Sequence, residues 1–267
     1  MESFITLFLG YGVIGLSVGL LSGMLGIGGG VIMVPALSLF LDVQGMSGTQ
    51  IMPMIAATSL AVIACTSSFS LRHHMRHGQA VGDVYMRLVV GLIIGVLMGV
   101  ILGVSLHPSL LKVLLGVFLI GVAAMMFLGI EAKPHRELPG ALGVSSVFFL
   151  VGLKSGLFGL GGGFMTTPFL LYCNVPARKA IAVASAASAT IAITGVACFM
   201  TMYAVHHVSL PYYTVGYVYL PAFLGIVLFS TWSVRFGVDW SQHMPILWLR
   251  RFLAGFIFVA GLDMLIS

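Results

Sequence analysis

Charge is scarce in this chain: of its 267 residues only 12 are lysine or arginine and 7 aspartate or glutamate, 7% in all, against roughly 25% in an ordinary soluble protein. So few charges cannot cover a water-facing surface, which excludes a soluble globular domain. Cysteine is scarce too. Cys65, Cys173 and Cys198 lie within or at the ends of apolar segments, lack CxxC spacing and are odd in number. That excludes a disulfide framework or a metal cluster and leaves them as small packing residues. Paired carboxylates, a Ser/His/Asp pattern and a cysteine nucleophile in a polar setting are missing, so no enzyme is expected and no cofactor is implied. The start, Met1-Glu2-Ser3-Phe4, lacks the basic stretch and small-residue cleavage site of a signal peptide and is expected to be retained.

What is present is apolar length. Hydrophobic residues make up 60% of the chain and the mean hydropathy is +1.13. A membrane-crossing helix needs about 20 apolar residues. Gln50–Leu71, Val84–Val104, Ser109–Leu128, Ala141–Leu160, Ile181–Tyr203, Tyr213–Trp232 and Leu247–Ile266 all qualify. A membrane β-barrel would instead show short segments of alternating polarity. An all-α polytopic membrane protein is expected.

Two copies of one glycine-rich phrase stand out. The first holds Gly19, Ser22, Gly23, Gly26, Gly28, Gly29, Gly30 and Pro35; the second, shifted by 133 from Gly19 to Gly152, holds Gly152, Ser155, Gly156, Gly159, Gly161, Gly162, Gly163 and Pro168. A weaker repeat aligns Ala57-Thr58-Ser59-Leu60-Ala61 with Val183-Ala184-Ser185-Ala186-Ala187. The chain therefore divides into a first repeat, residues 1–130, a polar linker, residues 131–140, and a second repeat, residues 141–267. The linker contains two prolines and a closing glycine, which make it a loop.

Lysine and arginine placement decides between two topologies. If each glycine-rich segment crosses once, the halves are parallel and the basic residues split almost evenly between the two sides. If each turns back as a hairpin, Arg72, Arg76, Arg87, Lys133, Arg136, Arg178, Lys179, Arg235, Arg250 and Arg251 share the cytoplasmic side and only Lys112 lies outside. The positive-inside bias selects the second arrangement. The halves are then inverted, each with a glycine-broken helical hairpin plus three transmembrane helices, and both termini lie outside. Histidines among Arg72-His73-His74-Met75-Arg76-His77 read as a solvated cytoplasmic loop, and His206-His207 as its outer counterpart.

A helix through Gly26 to Gly30 is disfavoured by about 1 kcal/mol per glycine relative to alanine, so local unwinding is expected where a cavity can satisfy the freed groups. The half-helix after each cluster offers unpaired N–H groups and the positive end of its dipole, a site for an anion at membrane depth. The competing reading, close helix packing, usually spaces small residues by four. Gly91, Gly95, Gly99 and Gly103 have that spacing and are assigned to a packing face. Gly26-Ile27-Gly28 resembles part of a nucleotide-binding fingerprint, but no βαβ context surrounds it.

Ser22 and Ser155, one turn before the clusters, carry hydroxyls able to donate to an oxyanion, although serine in a helix also bonds its own backbone. Ser59 and Ser185 occupy matching helices; Thr58 and Ser188 are weaker candidates. Lys154 is the one charge left inside the membrane, where it costs about 2.5–3.5 kcal/mol; Leu21 matches it in the first repeat. An anionic ligand would explain it, and so would snorkelling of its long stem. The expected substrate-binding set is Ser22, Gly23, Gly26, Gly28, Gly29, Gly30, Ser59, Lys154, Ser155, Gly156, Gly159, Gly161, Gly162, Gly163 and Ser185.

At the doubled phrase, Ser22 to Pro35 and Ser155 to Pro168, and at Ala57 to Leu60, the chain resembles the sulfite exporter TauE/SafE family, also called TSUP transporters. The resemblance covers essentially the whole chain. It implies a secondary carrier of the cytoplasmic membrane moving small sulfur-containing anions such as sulfite or organosulfonates. Export by alternating access is expected, one half rocking against the other. A passive anion channel is the alternative. No acidic residue lies at a span centre, so a carboxylate relay is not evident; the coupling ion is open, with a proton as one candidate. Partners are a small anionic solute and the lipid bilayer, with no nucleic acid. Because Lys154 and Ala184 depart from their first-half matches, one asymmetric site is expected rather than two equivalent ones.

Overall fold

A computed structural model describes residues 2–25, 29–46, 48–76, 82–128, 137–206, 210–241 and 246–266. The elements, in chain order, are α1 (Glu2–Leu25), α2 (Gly30–Val43), α3 (Ile51–Arg76), α4 (Gly82–Ser105), α5 (Pro108–Phe127), α6 (Ala141–Phe158), α7 (Gly163–Tyr172), α8 (Ala177–His206), β1 (Thr214–Val215), β2 (Val218–Tyr219), α9 (Leu220–Ser241) and α10 (Ile246–Ile266). The protein is an all-α polytopic membrane protein with one small β-hairpin. Helices α3, α4, α5, α6 and α8 are long and apolar enough to span a bilayer, and α1, α2, α9 and α10 contribute shorter apolar stretches.

Each half repeats one plan. A long helix, α1 or α6, is followed at the glycine cluster by a short one, α2 or α7, and then by three more. At about 1.5 Å per residue, the 14 residues of α2 and 10 of α7 reach only part of the roughly 30 Å hydrocarbon core. Both short helices carry the repeated proline, Pro35 or Pro168, inside them, where the missing N–H removes one i→i−4 bond.

The halves pack through a reciprocal set of contacts. Gly91, Gly95 and Gly99 of α4 lie against the carbonyls of Ser145, Phe149 and Leu153 of α6. Gly152 and Gly156 of α6 in turn face Leu92, Val96 and Val100. The expected packing face on α4 is thus a backbone-to-backbone seam, and because both sets of numbers rise together, α4 and α6 run in the same direction. The counterpart pair, α9 and α1, repeats this: Gly15 and Gly19 lie against Ile226 and Ser230, again with the numbers rising together. By contrast, α3 meets α8 antiparallel, with Leu60 near Gly195 and Ser70 hydrogen-bonded to Ser185. Helix α5 meets α10 the same way, Gly116 facing Leu265 and Gly261 facing Ile120.

One expected boundary is corrected. The stretch Tyr213–Trp232 does not begin as a helix: Tyr213 has φ 70° and Gly216 φ 59°, left-handed backbone that a right-handed helix excludes. Residues 214–219 form the hairpin, with Thr214 opposite Tyr219, and α9 starts only at Leu220, with Pro221 in its first turn where proline is tolerated. Tyr217 and Tyr219 are buried. The Tyr219 amide donates to Thr58 Oγ1 at 3.0 Å, pinning the hairpin on α3.

Candidate functional site

The two glycine-rich breaks meet inside the bundle. Gly30, the first residue of α2, is so close to the Leu160 carbonyl of the second break that no side chain fits between them, and Ile63 of α3 touches the same place. On the second break, α6 stops at Gly159 (φ 74°), whose N–H caps the helix by donating to Ser155 O at 2.8 Å. Gly161 follows with φ 69°. Two left-handed residues within three positions suit glycine and turn the chain into α7, whose N-cap is Gly162.

Two buried serines fix this turn. Ser59 Oγ on α3 donates to Gly159 O at 2.7 Å, and Ser155 Oγ donates to Gly161 O at 2.8 Å. A trans peptide holds its C=O and N–H on opposite sides, so anchoring the Gly161 carbonyl turns the Gly162 N–H away from Ser155. Among the described residues, no acceptor is found for the N–H groups of residues 160–164, whereas those of Met165 and Thr166 bond Gly162 O. The break therefore presents consecutive amide donors at the positive end of a ten-residue helix.

Two buried side-chain polar atoms have no hydrogen-bond partner among the described residues, Lys154 Nζ and Thr166 Oγ1. Lys154 is only 8% exposed, and its ammonium lies over the Phe118 ring of α5, 5.1 Å from the centroid. Phe118 stacks in turn on Phe158 at the end of α6. A cation–π contact is worth about 2 kcal/mol when desolvated, which leaves most of the cost of burying the charge uncompensated. Lys154 does not snorkel to the surface here.

The other expected residues fall into three groups. Gly29, Gly30, Gly159, Gly161, Gly162 and Gly163 belong to the breaks, together with Ser59 and Ser155. Gly156 lies in the α4–α6 seam against Val96 and Val100. Ser185 bonds Ser70 Oγ at 3.0 Å and Ile181 O at 3.0 Å, partners outside both breaks. Gly26 and Gly28 lie outside the described residues; Ser22 and Gly23 fall within α1, their surroundings undescribed. Thr166, fully buried one turn into α7, is not singled out by the sequence reading. The signal was there: Thr166 matches Met33 of the first repeat, a polar-for-apolar exchange like that of Lys154 for Leu21.

A cavity of about 530 Å³ opens between α1 and α9, lined by Leu16, Leu20, Leu21, Trp232 and Phe236 with Ser17 and Ser233. The two hydroxyls bond carbonyls of their own helices and the remaining lining is apolar, so this groove suits lipid rather than an anion.

The chain matches the model of the family described as sulfite exporter TauE/SafE over residues 11–264. It is 28% identical over 269 aligned residues to a probable membrane transporter protein of Haemophilus influenzae, covering 100% of both chains. It is 27% identical to a probable membrane transporter protein of Methanocaldococcus jannaschii, covering 95% of this chain and 94% of that one. A probable membrane transporter protein of Bacillus subtilis is 25% identical over 64% of this chain and 70% of its own. No solved structure gives a significant match.

Proposed function

Because the chain belongs to the sulfite exporter TauE/SafE family and is a multi-pass membrane transporter of that type, we propose that it carries a small sulfur-containing anion, sulfite or an organosulfonate, across the cytoplasmic membrane, in the export direction. The observation that carries this reading is the meeting of the two breaks, Gly30 against the Leu160 carbonyl, in the middle of the bundle. Unpaired amides there can replace the hydration of an oxyanion without a fixed metal or carboxylate. Lys154 adds a buried positive charge with no hydrogen-bond partner among the described residues, and a monoanion bound nearby would satisfy it. Ser59 and Ser155 support the site by fixing carbonyls, which aims the neighbouring N–H groups.

The halves are inverted in the bilayer. Under exchange of the two repeats, α4–α6 becomes α9–α1, while α3–α8 and α5–α10 map onto themselves. A helix meets its own counterpart antiparallel only when the exchange axis lies across the helices, in the membrane plane. The antiparallel contacts of both self-paired sets support this. Alternating access then moves units that combine helices of both halves, because the glycine seams lock α4 to α6 and α1 to α9.

Counterflow tests the carrier. In liposomes preloaded with unlabelled sulfite, uptake of labelled sulfite is expected to accelerate; uptake indifferent to the internal solute would identify a passive anion channel instead.

A further inference from the structure

The Thr166 hydroxyl is out of place for a helical threonine. Such hydroxyls commonly bond the carbonyl one turn back, and Thr58, Thr66, Thr190 and Thr231 all do so, to Met54, Val62, Ala186 and Val227. Thr166 has Gly162 O available one turn back, and its own N–H bonds that oxygen at 3.0 Å. Yet among the described residues Oγ1 has no hydrogen-bond partner, and the residue is 0% exposed. A fully buried hydroxyl left unsatisfied costs about 1–3 kcal/mol.

Its surroundings indicate what it serves. A methyl group placed on Gly162 would lie 3.5 Å from Thr166 Oγ1, 3.6 Å from Ser188 Oγ on α8, and 2.5 Å from Ile191 Cδ1. Two hydroxyls therefore converge over the N-cap of α7, beside the amides of residues 160–164, and the space between them is filled by the far end of one flexible isoleucine. At the matching position of the first repeat Met33 stands where Thr166 does and is buried in the apolar core.

We propose that Thr166 and Ser188, with the amide donors at the start of α7, form the oxyanion subsite of this transporter, on the second break alone. Ile191 is its plug: the conformation described is closed, and the δ-methyl must swing aside for an anion to enter. The donors select for an oxygen-bearing anion, and the absence of an acidic side chain among them leaves no attraction for a cation. The subsite rests on the anion-carrier reading above, and the following experiment separates the two.

Sulfite is titrated calorimetrically into the purified full-length protein in lipid nanodiscs. Thr166→Val, which keeps the shape and removes the hydroxyl, is expected to weaken binding at least about tenfold, as for loss of a hydrogen bond to a charged group, with an unchanged or higher melting temperature. Thr166→Ser should restore affinity to within about threefold, and Met33→Leu should leave it unchanged. Wild-type affinity in Thr166→Val overturns the subsite and leaves the carrier standing. A lowered melting temperature in Thr166→Val, recovered in Thr166→Ser, assigns the hydroxyl to packing and overturns the subsite as well. A wild-type protein that binds neither sulfite nor methanesulfonate overturns both readings together.

Discussion

Ser59 and Lys154 illustrate opposite uses of a buried polar side chain. The Ser59 hydroxyl satisfies a carbonyl of the turn from a different helix, so Ser59→Ala leaves Gly159 O buried without a partner. That variant should lose about 1–3 kcal/mol of stability, read as a lower melting temperature in detergent. Lys154→Met is expected to behave the other way. It removes a buried charge that, among the described residues, has only the Phe118 ring for company, so the protein should be no less stable, while sulfite affinity falls severalfold by calorimetry. A stability loss in Lys154→Met with unaltered affinity would mark the lysine as a packing residue. Its distinctness was legible in the sequence, as the one charge stranded in an apolar segment. The role of Ser59 was not, because its partner is 100 positions away along the chain and only the folded turn brings them together.

At the scale of helices, glycine does two different jobs that one letter conceals. In the breaks it supplies left-handed backbone at Gly159 and Gly161; in α4 it supplies contact distance. Gly95 sits against the Phe149 carbonyl and the Leu153 nitrogen, whereas Gly121 of α5 has nothing within 4 Å of where a side chain would begin. Gly95→Leu is accordingly expected to abolish folded protein and Gly121→Leu to be nearly neutral, by size-exclusion profile and yield. The four-residue spacing of Gly91 to Gly103 announced a close contact. It could not say that the partner is α6 of the other half, since a stripe of small residues specifies distance and not identity. The start of α9 was misplaced for a related reason. Apolar residues from Tyr213 to Tyr219 suit a buried hairpin as well as a helix, and the left-handed turn at Tyr213 has no marker in residue type.

For the whole molecule, reciprocal pairing of the halves predicts a specific cross-link. Ser70 and Ser185 Oγ atoms are 3.0 Å apart, so cysteines at both positions, in a chain whose Cys65, Cys173 and Cys198 are replaced, should form a disulfide on mild oxidation. It would be detected as an altered gel mobility that reductant reverses. Parallel halves would separate these positions and give none. In the sequence the proposed inversion rests on basic residues, because charge bias records which side a loop faces. The units proposed to move are not legible there, because they depend on seams that join one half to the other.

Those seams also bear on how the protein is made. Helix α1 finds its glycine-matched partner only in α9, about 200 residues later, so at roughly 5–20 residues per second of synthesis it waits about 10 to 40 s in the bilayer. Through that interval the nascent chain holds its first segment in lipid with a notched face bare to acyl chains, open to capture by the wrong neighbour. Assembly of this transporter is therefore long-range: until α9 has been made, α1 has no permanent place.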